Sequence, residues 1–372
     1  MNKILTGDVF DRLPELPDES VHMVMTSPPY WNLRDYGEAD QLGLEETPEE
    51  FVENLADVFD ELKRVLRPDG SLWLNLGDTY DNKDLQQIPS RVALELQDRG
   101  WILRNRVTWA KPNPMPQSVK DRLNDTTEAV FHFVKNKSYW YDLDAIREEY
   151  KQYDVGDNQV DRSEEIKGKG ELADDTCREL RGREETKKEM FHPAGKNPGD
   201  VFEVTTKPFP EAHFAVYPPE LCEKPIKATC PPKVCAECGS PYERDVVEDS
   251  IPLDELPESN PNHRPNNYDK YNGMMDSKKY GNNKRTLPAR ETVGWTPTCD
   301  CDTDATEAGI ALDPFAGAGT TLLKAKELGR KFVGIELNPE YADMARARVG
   351  LDVKDPSNIR DDQSQSGLEG FQ

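Results

Sequence analysis

A rigid proline turn directly follows an apolar run near the start of the chain. Residues 22–26 read HMVMT and lead into Ser27, Pro28, Pro29 and Tyr30. Because proline has no N–H, the residue after Pro28 cannot tie up the Pro28 carbonyl. A stiff carbonyl, a hydroxyl and an aromatic ring can together hold a flat ring by stacking and accept hydrogen bonds from its amino group. The alternative is an ordinary Pro-Pro turn.

Such a turn could activate a weak nucleophile. An amino group conjugated to a ring reacts poorly because its lone pair is spread into the ring. Hydrogen bonds from the amine to the Ser27 hydroxyl and the Pro28 carbonyl would pull the nitrogen towards tetrahedral geometry. The lone pair would then point at an electrophilic methyl group.

A glycine loop near the other end of the chain is the second candidate site. Residues 310–312 (IAL) predict a short strand, followed by DPFAGAG at 313–319 and a helix from about Thr320. A Gly-x-Gly turn in this context lets a ligand approach the backbone, and the start of the helix offers unpaired N–H groups. The alternative is a tight turn with no ligand.

An acidic residue supports the ligand-binding interpretation of this loop. Glu336 lies 19 residues after Gly317, at the end of the next predicted strand, where a carboxylate can bond ribose hydroxyls. The chain has no GxxxxGK[ST] phosphate loop, and the third glycine of the dinucleotide fingerprint is missing. An adenosyl ligand is therefore favoured over NAD.

Four of the seven cysteines form two close pairs, Cys235-x2-Cys238 and Cys299-x-Cys301. Four thiolates in this pattern predict a structural Zn²⁺ site. Disulfides are less expected in a chain of the cytosol. The alternatives are a redox pair or unligated cysteines, and Cys230 is a rival ligand.

The proline turn and the glycine loop together resemble the amino-methylating DNA methyltransferases. The family's catalytic motif is (S/D/N)-PP-(Y/F/W), and its cofactor motif is close to DPFxGxGTT. Here they read SPPY at 27–30 and DPFAGAGTT at 313–321, with Ala318 where serine is more common. The catalytic motif comes first, as in the permuted β class. The resemblance covers roughly 1–140 and 196–350, apart from an insert near 235–301.

The resemblance implies a fold, a cofactor and a reaction. The fold would be α/β, with a doubly wound, mostly parallel sheet of the Rossmann-like S-adenosylmethionine-dependent type and a permuted motif order. The reaction would be direct methyl transfer from S-adenosylmethionine to the exocyclic amine of a base flipped out of duplex DNA. Serine at the first catalytic position is more typical of N4-cytosine than of N6-adenine methylation, so cytosine is expected.

Further functions remain open at this point. They are N6-adenine methylation, methylation of RNA or of a protein amide by the same fold, and an inert zinc-containing binding module. Methylation of cytosine C5 is disfavoured because its Pro-Cys nucleophile is absent. No fused nuclease signature is found, and a separate cognate restriction endonuclease is a partner that the class allows.

The resemblance also assigns roles to individual residues. Gly7-Asp8 is placed before the first predicted strand, with the acid near the adenine. The predicted cofactor-binding residues are Asp8, Phe214, Asp313, Phe315, Gly317, Gly319, Thr320, Thr321, Glu336 and Asn338. The predicted DNA-binding residues are Trp31, Lys111, Asn113 and Arg122. The predicted catalytic residues are Ser27, Pro28, Pro29 and Tyr30.

The order of the predicted elements supports this fold. Strands at 22–26, 71–76, 104–109 and 129–134 accompany a helix at 48–66, and a β-loop-α-β-α unit spans 310–349. The predicted organisation is a target-base half at 1–140, a target-recognition region at 141–200, a cofactor half at 201–234 and 302–350, a zinc-knuckle insert at 235–301 and a disordered tail at 351–372.

The charge of the chain argues against nucleic-acid binding and needs an explanation. There are 47 basic and 71 acidic residues, which gives a net charge of -24. Residues 99–122 are an exception, with six basic residues and one acid. An acidic surface also suits a salt-loving host, because charges are screened within about 3 Å at 1 M salt. The alternative is an acidic protein that never contacts DNA.

The sequence favours a cytoplasmic protein. It has no apolar run of the length that a membrane-spanning helix needs, and its N-terminus lacks the apolar region of a secretory signal.

Overall fold

The computed structural model describes most of the chain, namely residues 2–33, 41–149, 194–207, 216–252 and 286–354. The chain forms two compact units. The larger comprises residues 1–142, 199–243 and 297–372, and the smaller comprises residues 143–198 and 244–296. Most of the predicted recognition region lies outside the described residues, as does the predicted tail from residue 355 onwards.

The described strands are β1 (Asn2–Thr6), β2 (Val21–Thr26), β3 (Leu66–Leu76), β4 (Tyr80–Asp81), β5 (Asp84–Leu85), β6 (Ile102–Ala110), β7 (Thr127–Val134), β8 (Val201–Glu203), β9 (Val234–Cys235), β10 (Tyr242–Pro252), β11 (Thr286–Pro297), β12 (Thr306–Glu307), β13 (Ile310–Asp313) and β14 (Lys331–Glu336). The described α-helices are α1 (Val9–Arg12), α2 (Pro48–Val65), α3 (Ile88–Asp98), α4 (Pro219–Thr229), α5 (Thr320–Glu327) and α6 (Pro339–Val349).

A mostly parallel sheet forms the centre of the larger unit. Its described strands follow the order β1-β14-β13-β2-β3-β7-β6-β8. The first five strands in this order are parallel to one another, β7 is antiparallel to both β3 and β6, and β8 is parallel to β6. The predicted doubly wound, Rossmann-like architecture is confirmed.

Helices cover both faces of this sheet because its inner strands are apolar on both sides. All six residues of β2 are buried. Val24 packs in a cluster with residues of α1, α2 and α3, whereas Met23 and Met25 pack with residues of α4, α5 and α6. Alternate side chains of a strand point to opposite faces, so this continuous apolar run serves two cores.

The neighbours β2 and β13 form the switch point of the topology. From β2 the chain continues through α2 to β3 on one side, and from β13 it continues through α5 to β14 on the other. The loops after two such strands diverge and leave a crevice at their carboxyl ends, where ligands bind in open α/β sheets.

Local signals fix the bounds of the long helix α2. Thr47 is its N-cap, accepting a hydrogen bond from the backbone N–H of Glu50, and Pro48 occupies the first helical position. The helix ends where Leu66 adopts an extended conformation and begins β3. The prediction of a helix over 48–66 is correct to one residue.

The predicted position of Gly7-Asp8 before the first strand is wrong. β1 precedes these residues and lies at the edge of the sheet, paired only with β14 among the described strands. Only Ile4 of β1 is buried, so the strand gives little apolar signal in the sequence. Gly7 and Asp8 therefore stand at the carboxyl end of β1, and the Gly7 N–H donates to the Glu336 carbonyl at the end of β14.

Among the described residues, no helix is both long and apolar enough to cross a bilayer.

A buried histidine links stability to pH. His132 on β7 stacks on Trp73 with ring centroids 4.3 Å apart, and its Nε2 lies 3.1 Å from the Ser71 hydroxyl. Burial lowers the pKa of His132 from its ordinary value of 6.5 to about 3. The unfolded chain therefore takes up this proton first as the pH falls.

We expect His132→Gln to flatten the pH dependence of unfolding. The contribution of His132 is complete above about pH 6.5 and is lost by about 1.4 kcal/mol per pH unit as the pH falls towards 3. Urea unfolding of both proteins at pH 7.5 and 5.0 measures this, because the carboxylates and His22 contribute equally and cancel in the difference. Equal slopes in the two proteins would contradict this assignment.

Candidate active site

One buried hydrogen bond joins the proline turn to the glycine loop. β2 and β13 are neighbours in register, with Val24 opposite Leu312. The Thr26 hydroxyl donates to the Asp313 carboxylate at 2.7 Å, and both residues are fully buried. Residues 27–30 and 314–319, which follow these two strands, are therefore placed side by side.

A large cavity opens where these two segments meet. Its volume is about 1460 Å³, larger than the roughly 300–1,000 Å³ of a typical small-molecule site. It has room for a methyl donor and for an extruded base. Of the residues predicted from the sequence, its lining includes Asp8, Ser27, Pro28, Pro29, Tyr30, Lys111, Asn113, Arg122, Phe315, Gly317, Thr320, Glu336 and Asn338.

The Ser27 hydroxyl is oriented as a hydrogen-bond acceptor towards a ligand. It donates its hydrogen to the Tyr30 hydroxyl at 3.2 Å and accepts from the Asn75 amide at 3.3 Å. A hydroxyl has one hydrogen and two lone pairs, so the second lone pair remains available. The arrangement can accept a hydrogen bond from an amine in the cavity.

Tyr30 connects the Ser27 hydroxyl to a carboxylate through a second hydrogen bond. Its hydroxyl donates to Glu128 at 2.8 Å. The two hydrogens of the Asn75 amide are shared among the Ser27 hydroxyl, the Tyr30 hydroxyl at 2.8 Å and Glu128 at 2.9 Å. Burial, and secondly the charge of Glu128, raise the pKa of Tyr30 well above its usual value, so the hydroxyl keeps its proton. Lys111 forms an ion pair with Glu128. Serial donation of this kind makes the Ser27 oxygen a better acceptor.

Asn75 and Glu128 are site residues that sequence reasoning missed. Asn75 lies in the buried run that ends β3, and Glu128 is the second residue of β7. Asn75 lies opposite Val130 in the antiparallel pairing, which brings it close to Glu128. The signal that could have found Asn75 is that an amide inside a buried strand needs hydrogen-bond partners.

The two glycines of the cofactor loop are required for different structural reasons. Gly319 has a φ of +76°, and a Cβ there would lie 2.8 Å from the Cβ of Ala345 on α6. Gly317 has a φ of +49° and no atom within 4 Å of such a Cβ. Gly319 thus permits close helix packing, whereas Gly317 leaves open space against the cavity.

Glu336 lies across the glycine turn at the carboxyl end of β14. One carboxylate oxygen accepts from the Gly317 N–H at 2.6 Å and the other from the Asn338 N–H at 3.0 Å. A carboxylate at the end of this strand is also placed to accept hydrogen bonds from ribose hydroxyls. The open turn and the oriented carboxylate fit an adenosyl ligand with a ribose.

Several predicted cofactor residues instead support the loop from beneath or cap helices. Asp313 and Thr321 are fully buried and do not line the cavity. The Thr321 hydroxyl donates to the Met25 carbonyl, which ties α5 to β2. Asp8 and Asn338 line the cavity and are also the N-caps of α1 and α6. Phe214 lies outside the described residues.

The predicted DNA-binding residues differ in their placement. Trp31 was expected at the DNA surface, but it is only 5% exposed, packs in the core, and donates to the Glu45 carbonyl at 3.0 Å. That prediction is corrected: a core side chain cannot meet a duplex. Asn113 exchanges hydrogen bonds with Thr206, and Arg122 pairs with Asp125.

The four paired cysteines converge on one point. The Sγ atoms of Cys235, Cys238, Cys299 and Cys301 all lie within 4.8 Å of one another. Tetrahedral Zn²⁺ with Zn–S bonds of about 2.3 Å needs sulfurs roughly 3.8 Å apart, so the donor set and its spacing fit the ion. Cys230, the rival ligand, is a buried residue outside this group.

This cysteine cluster is fastened to the amino ends of the central strands. His22, the second residue of β2, bonds the Gly239 carbonyl through Nε2 at 2.9 Å and accepts from the Ile310 N–H at the start of β13. Arg67, at the start of β3, donates to the Cys238 carbonyl at 3.1 Å. The cluster therefore lies at the edge of the sheet opposite the cavity.

The fold and the cavity are those expected of a Rossmann-like methyltransferase, and comparison with known proteins shows the family. A family model described as DNA methylase, for N6 and N4 methyltransferases, matches residues 21–250 and 304–347. The Type II methyltransferase M.SfiI of Streptomyces fimbriatus is 32% identical over 378 aligned positions, covering 91% of this chain and 88% of that protein. M.XycI of Xanthomonas campestris pv. cyanopsidis is 32% identical over 375 positions, covering 93% and 87%.

The fold is also found in a solved structure. The PvuII DNA methyltransferase, which is cytosine-N4-specific, superposes with a TM-score of 0.53 at 18% identity, covering 95% of this chain and 87% of that one. The chain belongs to the N6/N4 DNA methylase family, the S-adenosylmethionine-dependent amino-methyltransferases.

The hydroxyl of Tyr30 should matter separately from its ring. We expect Tyr30→Phe to lower turnover by about tenfold, the effect of one lost hydrogen bond of about 1.4 kcal/mol, because Ser27 loses the acceptor of its hydrogen. Cofactor affinity should not change. Steady-state methylation kinetics and a cofactor titration measure the two effects.

Tyr30→Ala is the matched variant that removes the ring as well, and it should lose more activity than Tyr30→Phe. Full activity in Tyr30→Phe with loss in Tyr30→Ala would show that only stacking matters.

Proposed function

We propose that this enzyme transfers a methyl group from S-adenosylmethionine to the exocyclic N4 amine of cytosine in duplex DNA. The observation that carries the proposal is the Ser27 hydroxyl, which has its hydrogen on Tyr30 and a lone pair free at the cavity. The printed names of the relatives, Type II methyltransferases, support DNA as the substrate and a role in restriction-modification. A separate cognate endonuclease is the partner that such a role implies.

The chain's own residues would supply orientation and charge. Ser27 and the Pro28 carbonyl accept the two amine hydrogens, which turns the nitrogen lone pair out of the ring plane. Tyr30 lies against the base, and Gly77 leaves room for its ring, since a Cβ at Gly77 would lie 2.4 Å from the Tyr30 ring. The Glu128 carboxylate, two hydrogen bonds from Ser27, favours the positive charge that develops on the amine.

S-adenosylmethionine supplies a methyl group on a sulfonium. The amine nitrogen held by Ser27 and Pro28 would take this methyl group, the electron pair of the S–C bond would stay on sulfur, and the methylated amine would release one proton. Phe315, Gly317, Glu336 and Asp8 would hold the adenosine part, since all four line the cavity. The proton needs no strong base, because a ring-conjugated ammonium is acidic.

Adenine N6 is the alternative target within the family, and serine at the first catalytic position favours cytosine over it. Two further candidates differ in substrate or in activity: a methyltransferase acting on RNA or a protein amide, and an inert zinc-containing module. The intact turn at 27–30 and the open cavity argue against an inert module.

Modification sequencing of DNA from cells expressing the chain tests the proposal. We expect N4-methylcytosine at one short motif, and none with Ser27→Ala, whose turnover should fall at least about 100-fold. Because Ser27 contacts the base and not the adenosine, cofactor affinity should stay nearly unchanged. The expression host, or the assay, should cover a range of salt concentrations, since the net charge of -24 suits high salt.

N6-methyladenine at the motif would keep the mechanism and change the base. An equal loss of cofactor binding in Ser27→Ala would contradict this division of roles. Methyl uptake by RNA but not by DNA would show that the enzyme is an RNA methyltransferase of the same fold.

We also propose that Cys235, Cys238, Cys299 and Cys301 hold a structural Zn²⁺. The support is the convergence of four thiol sulfurs, which is a complete tetrahedral donor set for this ion. Because His22 and Arg67 contact this cluster, the ion would fix the segment around β9 and β12 against the amino ends of β2 and β3.

Metal analysis of the purified protein tests the zinc proposal. We expect one Zn²⁺ per chain, and the intense visible bands of tetrahedral thiolate-bound Co²⁺ after exchange. Cys238→Ser should lose the ion and lower the melting temperature, while cofactor affinity at permissive temperature is retained because the cavity lies at the other edge. Cys230→Ala is the control and should keep the ion. Metal retained in Cys238→Ser would contradict the ligand set.

A further inference from the structure

The loop that connects β6 and β7 begins and ends next to the hydrogen-bond network of Ser27, Tyr30 and Glu128. Residues 111–126, here called the β6–β7 loop, join the two strands, and its ends are closed by a hydrogen bond from the Lys111 N–H to the Thr126 carbonyl at 2.9 Å. Lys111 at one end pairs with Glu128, which lies just beyond the other end. Whatever binds this loop is therefore close to the reacting base.

This loop exposes two large apolar side chains. Met115 is 83% exposed and Leu123 is 90% exposed. Met115 lines the mouth of the cavity, whereas Leu123 does not. Met115 therefore presents apolar surface to solvent at the cavity, where a bound substrate would cover it.

Met115 is held in place rather than free to fold back. It lies between Pro114 and Pro116, and prolines restrict the backbone on both sides of it. Asn113 fastens the start of the loop to Thr206 by hydrogen bonds of 2.9 and 3.0 Å. The structure thus pre-organises an apolar side chain at the rim of the cavity.

The far side of the loop is fastened to its middle. Gln117 and Asp125 exchange two hydrogen bonds of 3.3 Å, from the Gln117 amide to the Asp125 carboxylate and from the Asp125 N–H to the Gln117 carbonyl oxygen. Arg122 pairs with the same carboxylate at 2.9 Å. Hydrogen bonds and an ion pair therefore hold the two arms of the loop together.

The surroundings of Met115 suit an anionic partner. Arg106 on β6 lines the cavity, and Arg106 and Lys120 are both exposed. Neither takes part in an ion pair among the described residues. An exposed cation in the cavity wall, Arg106, and another on the loop itself, Lys120, can meet the phosphates of a nucleic acid while Met115 meets its bases. This occurs in the basic stretch of an otherwise acidic chain.

We propose that Met115 is a wedge that enters the base stack of duplex DNA and fills the space left when the target base swings into the cavity. This rests on the proposed function, since only a duplex substrate must open its stack. Apolar side chains, methionine among them, enter base steps in this way, and the inserted side chain offsets part of the cost of unstacking. The flexible thioether adapts to an irregular gap.

The test compares duplexes that differ in the cost of extruding the base. The substrates carry the methylation motif found by sequencing, with the target base fully paired in one duplex and opposite an abasic position in the other. We expect Met115→Ala to lower kcat/KM at least about tenfold on the paired duplex and less than about threefold on the abasic one. Met115→Leu should restore most of the activity, because it keeps the apolar volume.

Leu94→Ala is the control variant. Leu94 is 63% exposed on α3 and does not line the cavity, so its loss should affect neither substrate. An equal loss by Met115→Ala on both duplexes, or no loss on either, overturns the wedge while the proposed function stands. Failure of the unaltered enzyme to methylate either duplex refutes the proposed function itself.

Discussion

The site depends on the hydrogen bonds that the buried carboxylate of Asp313 accepts. A charge in the core is unfavourable unless hydrogen bonds compensate it, and this one accepts from Thr26, from the Phe315 N–H and from Tyr217. These donors come from the end of β2, from the glycine loop and from the segment before α4. Burial raises the pKa of Asp313, and the donors oppose that shift. The proline turn and the glycine loop are held together because the buried Asp313 carboxylate needs the hydrogen bond from Thr26.

The cavity and the cysteine cluster lie at opposite ends of the strands of the central sheet. Its carboxyl ends hold the proline turn, the glycine loop and Glu336, all of which line the cavity. Its amino ends hold His22 and Arg67, which bind the cysteine knuckle. A metal at the latter edge cannot reach a substrate at the former, so a structural rather than a catalytic ion is the consistent interpretation.

Much of this could be predicted from the sequence, and the exceptions have a common cause. The turn at 27–30, the loop at 313–319 and the cysteine pairs are local patterns, and the structure brings each set together. Asn75 and Glu128 have no local pattern, because their meeting depends on the register of β3 against β7. Trp31 was misassigned because its burial depends on tertiary packing, and its indole N–H donates to the Glu45 carbonyl, 14 residues away.

The strand order has a consequence for how the protein is made. β13 lies between β14 and β2 in the sheet, yet both β13 and β14 are synthesised after most of the chain. Until they emerge from the ribosome, β1 has no neighbouring strand among those described and one edge of β2 is unpaired. An inner position of the sheet is thus filled last, through pairings across almost 300 residues, such as Thr26 with Asp313. Non-local pairing of this kind folds slowly and leaves apolar strand edges exposed until it is complete.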